Sequence, residues 1–459
     1  MKSDGTLGMD FTEGKILPLL LKFMLPFLLA NLLNNFYNAV DMIVIGHFAG
    51  SGGTTAVSLG GKMLNFYTMA CMGLSGAGQI MIAQETGAKR KGEQNETIGT
   101  LISVLALISV VLAVVTLIFS GGIIRLIHTP ESAEAGALAY LRITSIGLPL
   151  IFGYESISSV LRGMGDSRSP LLFISIATVM NIILDTVFVV WGQMGVAGTA
   201  LATVISQGAS FLFSILRLYR RRDAFGFDFR RSSFRIVPGK LRILLKLGIP
   251  MSLSNGLIQL SQIYVMSCVN TYGVVQAAAY GIGDKILTLA NVFISSAQGA
   301  GGAVVGQNFG AGKTDRIQKV VYCVMGISMT ASAGLTALSL LFPRQIFEIF
   351  STDQGVLAYS GRFMLIAVLL YFLSSIQGSY QIVIMGTGNA KLSFLTGILD
   401  GIVLRISFGW LFGEYLGMEV TGYFLGTVLA RLAPITISMI YYYSGAWKKH
   451  KKLIDTDAA

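Results

Sequence analysis

The sequence contains two copies of one pattern, and this duplication limits the possible folds more than any other feature. Residues 50–88 recur at residues 273–311 with a constant offset of 223. The matched pairs are Gly60/Gly283, Lys62/Lys285, Gln84/Gln307, Gly163/Gly386, Gly165/Gly388 and, after a shift of one residue, Pro26/Pro250. Repeats that span most of each half predict two similar folding units.

The composition places both units in a lipid bilayer. Hydrophobic residues make up 53% of the chain, charged residues only 12%, and the mean hydropathy is +0.68. A helix needs about 20 apolar residues to cross a hydrocarbon core of roughly 30 Å. We count six such spans in each half, at residues 16–46, 54–83, 97–124, 135–161, 169–190, 194–217, 243–270, 277–306, 317–342, 356–384, 392–412 and 420–444.

Basic residues fall in alternate loops, so the net charge of +11 reports membrane topology rather than nucleic-acid binding. By the positive-inside rule, both termini and the long middle loop are cytoplasmic. We therefore predict an all-α protein of the cell (inner) membrane. It has a six-helix lobe at 1–218, a basic linker at 219–242, and a second six-helix lobe with a basic tail at 243–459.

The sequence lacks the residue patterns that several kinds of site require. Cys71, Cys268 and Cys323 all lie within apolar spans and show no paired spacing for disulfides or zinc. The segment 310–314 resembles a phosphate-binding loop, but Gln307 occupies the position of the required glycine and no strand precedes it. We therefore expect neither an enzyme nor a bound cofactor.

Polar residues inside the first span form one helix face. Asn34, Tyr37, Asn38 and Asp41 follow the spacing i, i+3, i+4, i+7. A carboxylate at the bilayer centre costs at least a few kcal/mol unless it is paired or faces a wet cavity. We interpret Asp41 and Tyr37 as candidate site residues; the alternative is that they hydrogen-bond neighbouring helices for stability.

A second polar group lies in the fifth and sixth spans. Asn181 and Asp185 are four residues apart and share a helix face, and Thr199 and Thr203 do the same in the next span. Carboxylate, amide and hydroxyl oxygens suit a hard cation, and a buried carboxylate also suits a proton. These residues predict a cation-coupling site, which would bind a metal ion only if the coupling ion is Na+.

The second copy does not repeat this chemistry. In the shifted register Asp41 meets Val265, and a local match of the apolar sequences sets Asp185 against Arg405. Asn255 and Arg405 are the candidates for a second-lobe site. Pro26 removes a helical hydrogen bond in the first span and is a candidate bending point.

These residues resemble the multidrug and toxic compound extrusion (MATE) family over essentially the whole chain. The resemblance rests on Pro26, Val40-Asp41-x4-Gly46-His47, Gln84-x2-Gly87-Ala88, Gly163-x-Gly165-Asp166, Asn181-x3-Asp185, Gly195-Val196-Ala197-Gly198 and Gln307-x2-Gly310-Ala311. The seventh span has Asn255, Gln259 and Gln262 where one branch of the family has an acid. This departure favours the DNA-damage-inducible (DinF-like) branch.

The resemblance implies two six-helix bundles related by a pseudo-twofold axis, with a V-shaped cavity between them. It implies export of organic, mostly cationic or amphipathic drugs in exchange for inward H+ or Na+, without a nucleic-acid partner and as a monomer. The family's cation site falls on Asp41, Asn181, Asp185 and Thr203, lined by Tyr37, with Pro26 bending the first helix.

Two alternatives remain open. Related two-lobe membrane proteins flip lipid-linked saccharide precursors, although such cavities are usually more basic than this sequence suggests. A membrane-embedded transferase is the alternative from another class, and it would need a group of His, Asp or Glu at a membrane interface that the sequence does not show.

Overall fold

The computed structural model describes residues 8–48, 50–126 and 129–455, together with all side chains in those ranges except those of residues 38 and 51. Within these ranges the chain is helical and contains no β-strand. In this described part of the chain, twelve helices are long and apolar enough to cross a membrane. They are α1 Ile16–Phe48, α2 Gly50–Gly87, α3 Lys91–Leu126, α4 Glu131–Gly163, α5 Arg168–Trp191, α6 Gly195–Arg220, α7 Pro238–Asn270, α8 Val274–Gly310, α9 Thr314–Leu341, α10 Ser360–Thr387, α11 Ala390–Tyr415 and α12 Glu419–Tyr443.

The twelve predicted spans are confirmed, and the helices extend past them mainly at the ends that carry basic loops. Helix α7 begins at Pro238 rather than at residue 243, and α2 continues to Gly87 rather than residue 83. The reason is that hydropathy falls where polar residues begin, whereas helical hydrogen bonding continues through them. Residues 238–242, predicted as linker, are therefore helical.

The chain divides into two compact units that are not contiguous in sequence. Unit 1 comprises residues 1–10 and 25–248, and unit 2 comprises residues 11–24 and 249–459. Within unit 1, α4 packs against α2, α3 and α6; within unit 2, its repeat counterpart α10 packs against α8, α9 and α12. The predicted boundary at residues 219–242 remains a prediction.

Glycines that match between the repeats mark close helix contacts. A Cβ on Gly60 of α2 would collide with the ring of Tyr140 on α4. A Cβ on Gly283 of α8 would lie 2.6 Å from Cδ1 of Phe363 on α10. Tyr140 and Phe363 are themselves repeat partners. Small residues let membrane helices approach closely, so these glycines are architectural.

The repeated Gly-x-Gly motifs end α4 and α10. Gly165 and Gly388 have φ values of 87° and 73°, a region that favours glycine. The next residue in each repeat lies just before the following helix and bonds its first turn. Asp166 Oδ1 accepts the backbone N–H of Ser169 at 3.0 Å, and Asn389 Oδ1 accepts that of Leu392 at 3.2 Å.

A buried ion pair anchors the start of α7 within unit 1. Lys240 Nζ lies 3.0 Å from Oε1 of Glu85 and 3.4 Å from Oε2 of Glu93. The Lys240 and Glu85 side chains are only 3% and 1% exposed. Thr97 Oγ1 also donates to Glu85 Oε1 at 2.6 Å. The pair therefore joins α2, α3 and α7.

The predicted linker belongs to unit 1 and contains a cluster of aromatic rings. It contains a short helix, Arg222–Phe225, and a 3-10 turn, Arg231–Phe234. Phe227 is 1% exposed, and its ring centroid lies 4.9 Å from that of Phe229 and 5.1 Å from that of Phe234. The basic linker therefore also contains a packed aromatic cluster.

Residues 11–24 pack within unit 2. The backbone N–H of Phe11 donates to Gln307 Oε1 at 3.1 Å, and Asn308 Nδ2 donates to Phe11 O at 3.2 Å. Arg316 donates to Phe11 O and Gly14 O, both at 3.0 Å. The repeat partners of Asn308 and Arg316 are Glu85 and Glu93. The same two repeat positions therefore hold Lys240 in unit 1 and Phe11 in unit 2.

Helices α5 and α11 both contain π-helical turns, which fix the register between the repeats. The π-helical turn Thr186–Trp191 ends α5, and Leu411–Tyr415 ends α11; a further π-helical turn, Leu399–Leu404, occurs only in α11. Just after Thr186–Trp191, the backbone N–H of Met194 donates a hydrogen bond to Phe188 O. Just after Leu411–Tyr415, the backbone N–H of Met418 donates the equivalent hydrogen bond to Phe412 O.

This register corrects one sequence match. Counting back from these hydrogen bonds, Asn181 corresponds to Arg405 and Asp185 to Gly409. The match of Asp185 with Arg405 is therefore wrong by four residues, about one helical turn. A slip of one turn leaves the apolar pattern almost unchanged, which is why the sequence alone did not exclude it.

Candidate functional site

A buried polar cluster lies inside unit 1, where α1, α5 and α6 meet. Helix α1 contributes Tyr37 and Asp41, which are 4% and 5% exposed. Helix α5 contributes Asn181 and Asp185, both 0% exposed, and α6 contributes Thr203, 3% exposed. Residues of all three predicted polar stripes therefore face one interior site, whereas Asn34 of the first stripe is exposed.

The contacts within the cluster join the helices. Thr203 Oγ1 is 3.4 Å from Asp41 Oδ2 and 2.9 Å from the backbone oxygen of Thr199. The carboxylate of Asp41 lies close enough to Asp185 and Asn181 to interact with both. No Lys or Arg forms an ion pair with either aspartate in the described structure. Two adjacent carboxylates therefore share a site without a basic partner.

Most polar atoms of this cluster have no hydrogen-bond partner among the described residues. They are Tyr37 Oη, Asp41 Oδ1, Asn181 Oδ1 and Nδ2, both carboxylate oxygens of Asp185, and Thr199 Oγ1. A buried polar group without a partner costs about 1–3 kcal/mol, and more when it is charged. The arrangement is thus suited to a guest that supplies positive charge.

The donor set fits either of two guests. Carboxylate, amide, hydroxyl and phenol oxygens are hard ligands, as Na+ requires, and two carboxylates can equally share protons. No group of three or more His, Cys, Asp or Glu that could hold a metal occurs in the described part of the chain.

Tyr140 was not identified from the sequence. It is 4% exposed on α4 and interacts with Asp41, Asp185 and Thr203. Its partner in the other repeat is a phenylalanine, so the gain of a hydroxyl in one copy was the available signal. The side chain of Asn38 lies outside the described residues.

The remaining predicted residues lie apart from this cluster. Helix α1 continues through Pro26 without a break, so bending there stays a prediction. Asn255 is half-buried on α7 and makes no hydrogen bond to Arg405 in the described structure. Arg405 pairs instead with Asp400 on its own helix, Nη2 to Oδ1 at 3.1 Å.

The repeat counterpart of the acidic cluster is filled by a ring. Val265 and Gly409 occupy the positions of Asp41 and Asp185, and Tyr423 that of Thr199. A Cβ on Gly409 would lie 3.1 Å from Cδ1 of Tyr423 and 4.0 Å from Cγ2 of Val265. The paired-carboxylate site is therefore confined to unit 1.

Comparison with known proteins agrees with this architecture. The probable multidrug resistance protein YoeA of Bacillus subtilis is 29% identical over 433 residues, covering 93% of each chain. A solved structure described as MATE in the straight conformation superposes with a TM-score of 0.89 at 22% identity, covering 97% of this chain and 99% of the other. Another, described as MATE in the bent conformation, gives 0.88 at 21% identity and covers 100% of both.

The sequence model of the family described as MatE matches residues 26–187 and again residues 250–411. The double match confirms the internal repeat, and the solved relatives confirm the all-α fold with twelve membrane helices. Because the matched segments cover more than half of the sequence, the chain is a multi-pass membrane protein that belongs to the MatE family.

Proposed function

We propose that this protein is a secondary active multidrug transporter that exports organic, mostly cationic or amphipathic compounds in exchange for inward H+ or Na+. The observation that carries the proposal is the pair of adjacent carboxylates, Asp41 and Asp185, buried without a basic partner. An ionised group in a low-dielectric interior carries a desolvation penalty of several kcal/mol. The pair therefore requires a cation.

The exchange follows because the coupling ion and the organic cation compete for the same two carboxylates. A proton or Na+ from outside neutralises the pair and lowers the cost of closing the surrounding space, so an organic cation is released outward. Loss of the ion to the inside restores the charge and the affinity for the drug. A ligand shifts a conformational equilibrium only through its different affinities for the two states. Here both guests depend on the same carboxylates.

Helix α1 transmits the change in this scheme. It carries Asp41 and, four turns earlier, Pro26, whose ring removes one helical hydrogen bond. We propose that α1 bends near Pro26 when Asp41 is neutralised. The solved relatives described as straight and bent show that proteins of this fold adopt more than one conformation.

The multidrug character of the proposal is supported by the name of the relative from Bacillus subtilis. We further propose a monomer in the cell membrane with both termini in the cytoplasm, on the grounds of the basic loops. The DinF-like branch also remains a proposal. No observation favours the saccharide flippase or the transferase over drug export.

The test is ethidium efflux from proteoliposomes with an imposed H+ gradient or Na+ gradient alone. One of the two gradients should drive efflux in the wild type. Asp41→Asn and Asp185→Asn should each lower the driven rate by about 10²-fold or more, since each removes an ionisable partner. Asp223→Asn, the same change at an exposed position, is the matched control.

Efflux that persists at the wild-type rate in the Asp41→Asn, Asp185→Asn double variant would contradict the proposal. Efflux that ignores both gradients would contradict antiport altogether. Size-exclusion chromatography of each variant verifies that a lost rate does not reflect a misfolded protein.

A further inference from the structure

Two neighbouring arginines lie within unit 2, Arg405 buried and Arg431 half-buried. Arg405 follows the π-helical turn Leu399–Leu404 of α11 and is 3% exposed. Arg431 lies where α12 is interrupted, between the segments Glu419–Leu429 and Leu432–Tyr443. The Arg431 guanidinium interacts electrostatically with Arg405 and with Asp400. Both arginines are near the middle of their membrane spans.

Each guanidinium has one side-chain acceptor. Arg405 Nη2 donates to Asp400 Oδ1 at 3.1 Å, and Arg431 Nη1 donates to Gln377 Oε1 at 2.9 Å. A guanidinium has five N–H donors and no acceptor. The contacts present therefore use a minority of the available donors.

Three buried nitrogen atoms of this pair lack a hydrogen-bond partner in the described structure. They are Arg405 Nε, Arg405 Nη1 and Arg431 Nε. Unsatisfied buried donors on a charged group are among the costliest polar atoms in a protein. Their presence on two neighbouring cations points to an acceptor that is not part of the chain.

The charge balance points to an anion. Asp400 is the one carboxylate that directly pairs with either arginine among the described residues. Asp284, half-buried on α8, interacts with Arg405 but makes no ion pair or hydrogen bond with it in the described structure. The group formed by Asp400, Arg405 and Arg431 thus has two positive charges and one negative charge, a net charge of about +1.

The repeat register shows that this group replaces part of the acidic cluster. Arg405 stands where unit 1 has Asn181, and Arg431 stands where it has Gln207, while Thr203 is kept as Thr427. Both aspartates of the acidic cluster are replaced by uncharged residues. The equivalent locations in the two units therefore carry charges of opposite sign, negative in unit 1 and positive in unit 2.

We propose that Arg405 and Arg431 form a binding site for the carboxylate of a transported compound, so that the preferred substrates are zwitterionic amphipathic molecules. A guanidinium matches a carboxylate with two parallel hydrogen bonds, which a neutral ester cannot reproduce. The inference rests on the proposed transport function and names its substrate class.

The test compares two dyes that differ at one group. Rhodamine 110 has a free carboxylate, and rhodamine 123 is its methyl ester. Fluorescence polarisation with the purified full-length protein in detergent measures binding without any ion gradient. We expect the wild type to bind rhodamine 110 at least about tenfold more tightly than rhodamine 123.

The variants Arg405→Gln and Arg431→Gln should each weaken rhodamine 110 binding by about tenfold or more and change rhodamine 123 binding by less than about twofold. Arg405→Lys keeps the charge but not the paired donors, and it should recover part of the loss. Arg362→Gln is the matched control, because Arg362 is an exposed arginine of the same unit.

Equal binding of the two dyes by the wild type would overturn the proposal. So would loss of both dyes, in parallel, in either glutamine variant that still elutes as the wild type in size-exclusion chromatography. Competition by millimolar inorganic phosphate that removes the preference for rhodamine 110 would assign the site to a small inorganic anion instead. Because binding is measured without a gradient, failure of ethidium antiport leaves this result unaffected, and the reverse also holds.

Discussion

The buried ion pair of unit 1 gives the sharpest test of the fold. Lys240→Met removes the cation that lies 3.0 Å from Glu85 and 3.4 Å from Glu93. Methionine keeps most of the side-chain volume, so the change removes charge rather than packing. Glu85, 1% exposed, is then left as a buried carboxylate whose remaining described partner is the hydroxyl of Thr97.

The size of the effect follows from this burial. Removing one member of a buried ion pair costs about 3–5 kcal/mol, because the other charge stays buried without compensation. The hydrogen bond from Thr97 persists, so we expect a loss of about 3 kcal/mol. For a unit of about this size, each kcal/mol lowers the melting temperature by roughly 2–4 °C. The predicted decrease is about 6–12 °C.

The assay is thermal unfolding of the detergent-solubilised protein, followed by intrinsic fluorescence. Lys246→Met, an exposed lysine on the same helix, is the matched control and should change the melting temperature little. The double variant Glu85→Gln, Lys240→Met should recover most of the loss, since it removes both charges. A Lys240→Met variant as stable as Lys246→Met would refute the reasoning.

Two further predictions concern packing. Gly60→Ala should lower stability by about 1–3 kcal/mol, because the new methyl group meets the Tyr140 ring; Gly61→Ala, which meets nothing within 4 Å, should not, and melting temperatures compare them. Phe227→Ala should cost about 3–5 kcal/mol locally and speed tryptic cleavage of the linker. Phe234→Ala, at a ring 37% exposed, should have a smaller effect, and equal cleavage rates would contradict this account.

The sequence predicts the helices well, because a membrane span requires a long apolar run and polar residues interrupt it. The repeat also matches Gly60 with Gly283, and both glycines lie at close helix contacts. Helix ends were less predictable. Residues 83–87 of α2 and 238–242 of α7 are polar enough to lower the hydropathy, yet their hydrogen bonds and the Lys240–Glu85 pair keep them helical.

The acidic cluster was predictable because a carboxylate within an apolar span is costly and is rarely present without a partner or a function. The spacing of Asn181 and Asp185, and of Tyr37 and Asp41, indicated which helix faces they share. The arginine pair of unit 2 was not predictable in the same way. The apolar pattern matched Arg405 with Asp185 instead of Asn181, and a slip of one helical turn leaves that pattern almost unchanged.

The position of residues 11–24 in unit 2 has a consequence for biosynthesis. Phe11 is made before its hydrogen-bond partners Gln307 and Asn308, which lie 296 and 297 residues further along the chain and follow the whole first repeat. Synthesis proceeds at about 5–20 residues per second, so roughly 15–60 seconds separate the two events. Residues 11–24 therefore lack these partners until the second repeat is made, and a first repeat expressed alone would lack them permanently.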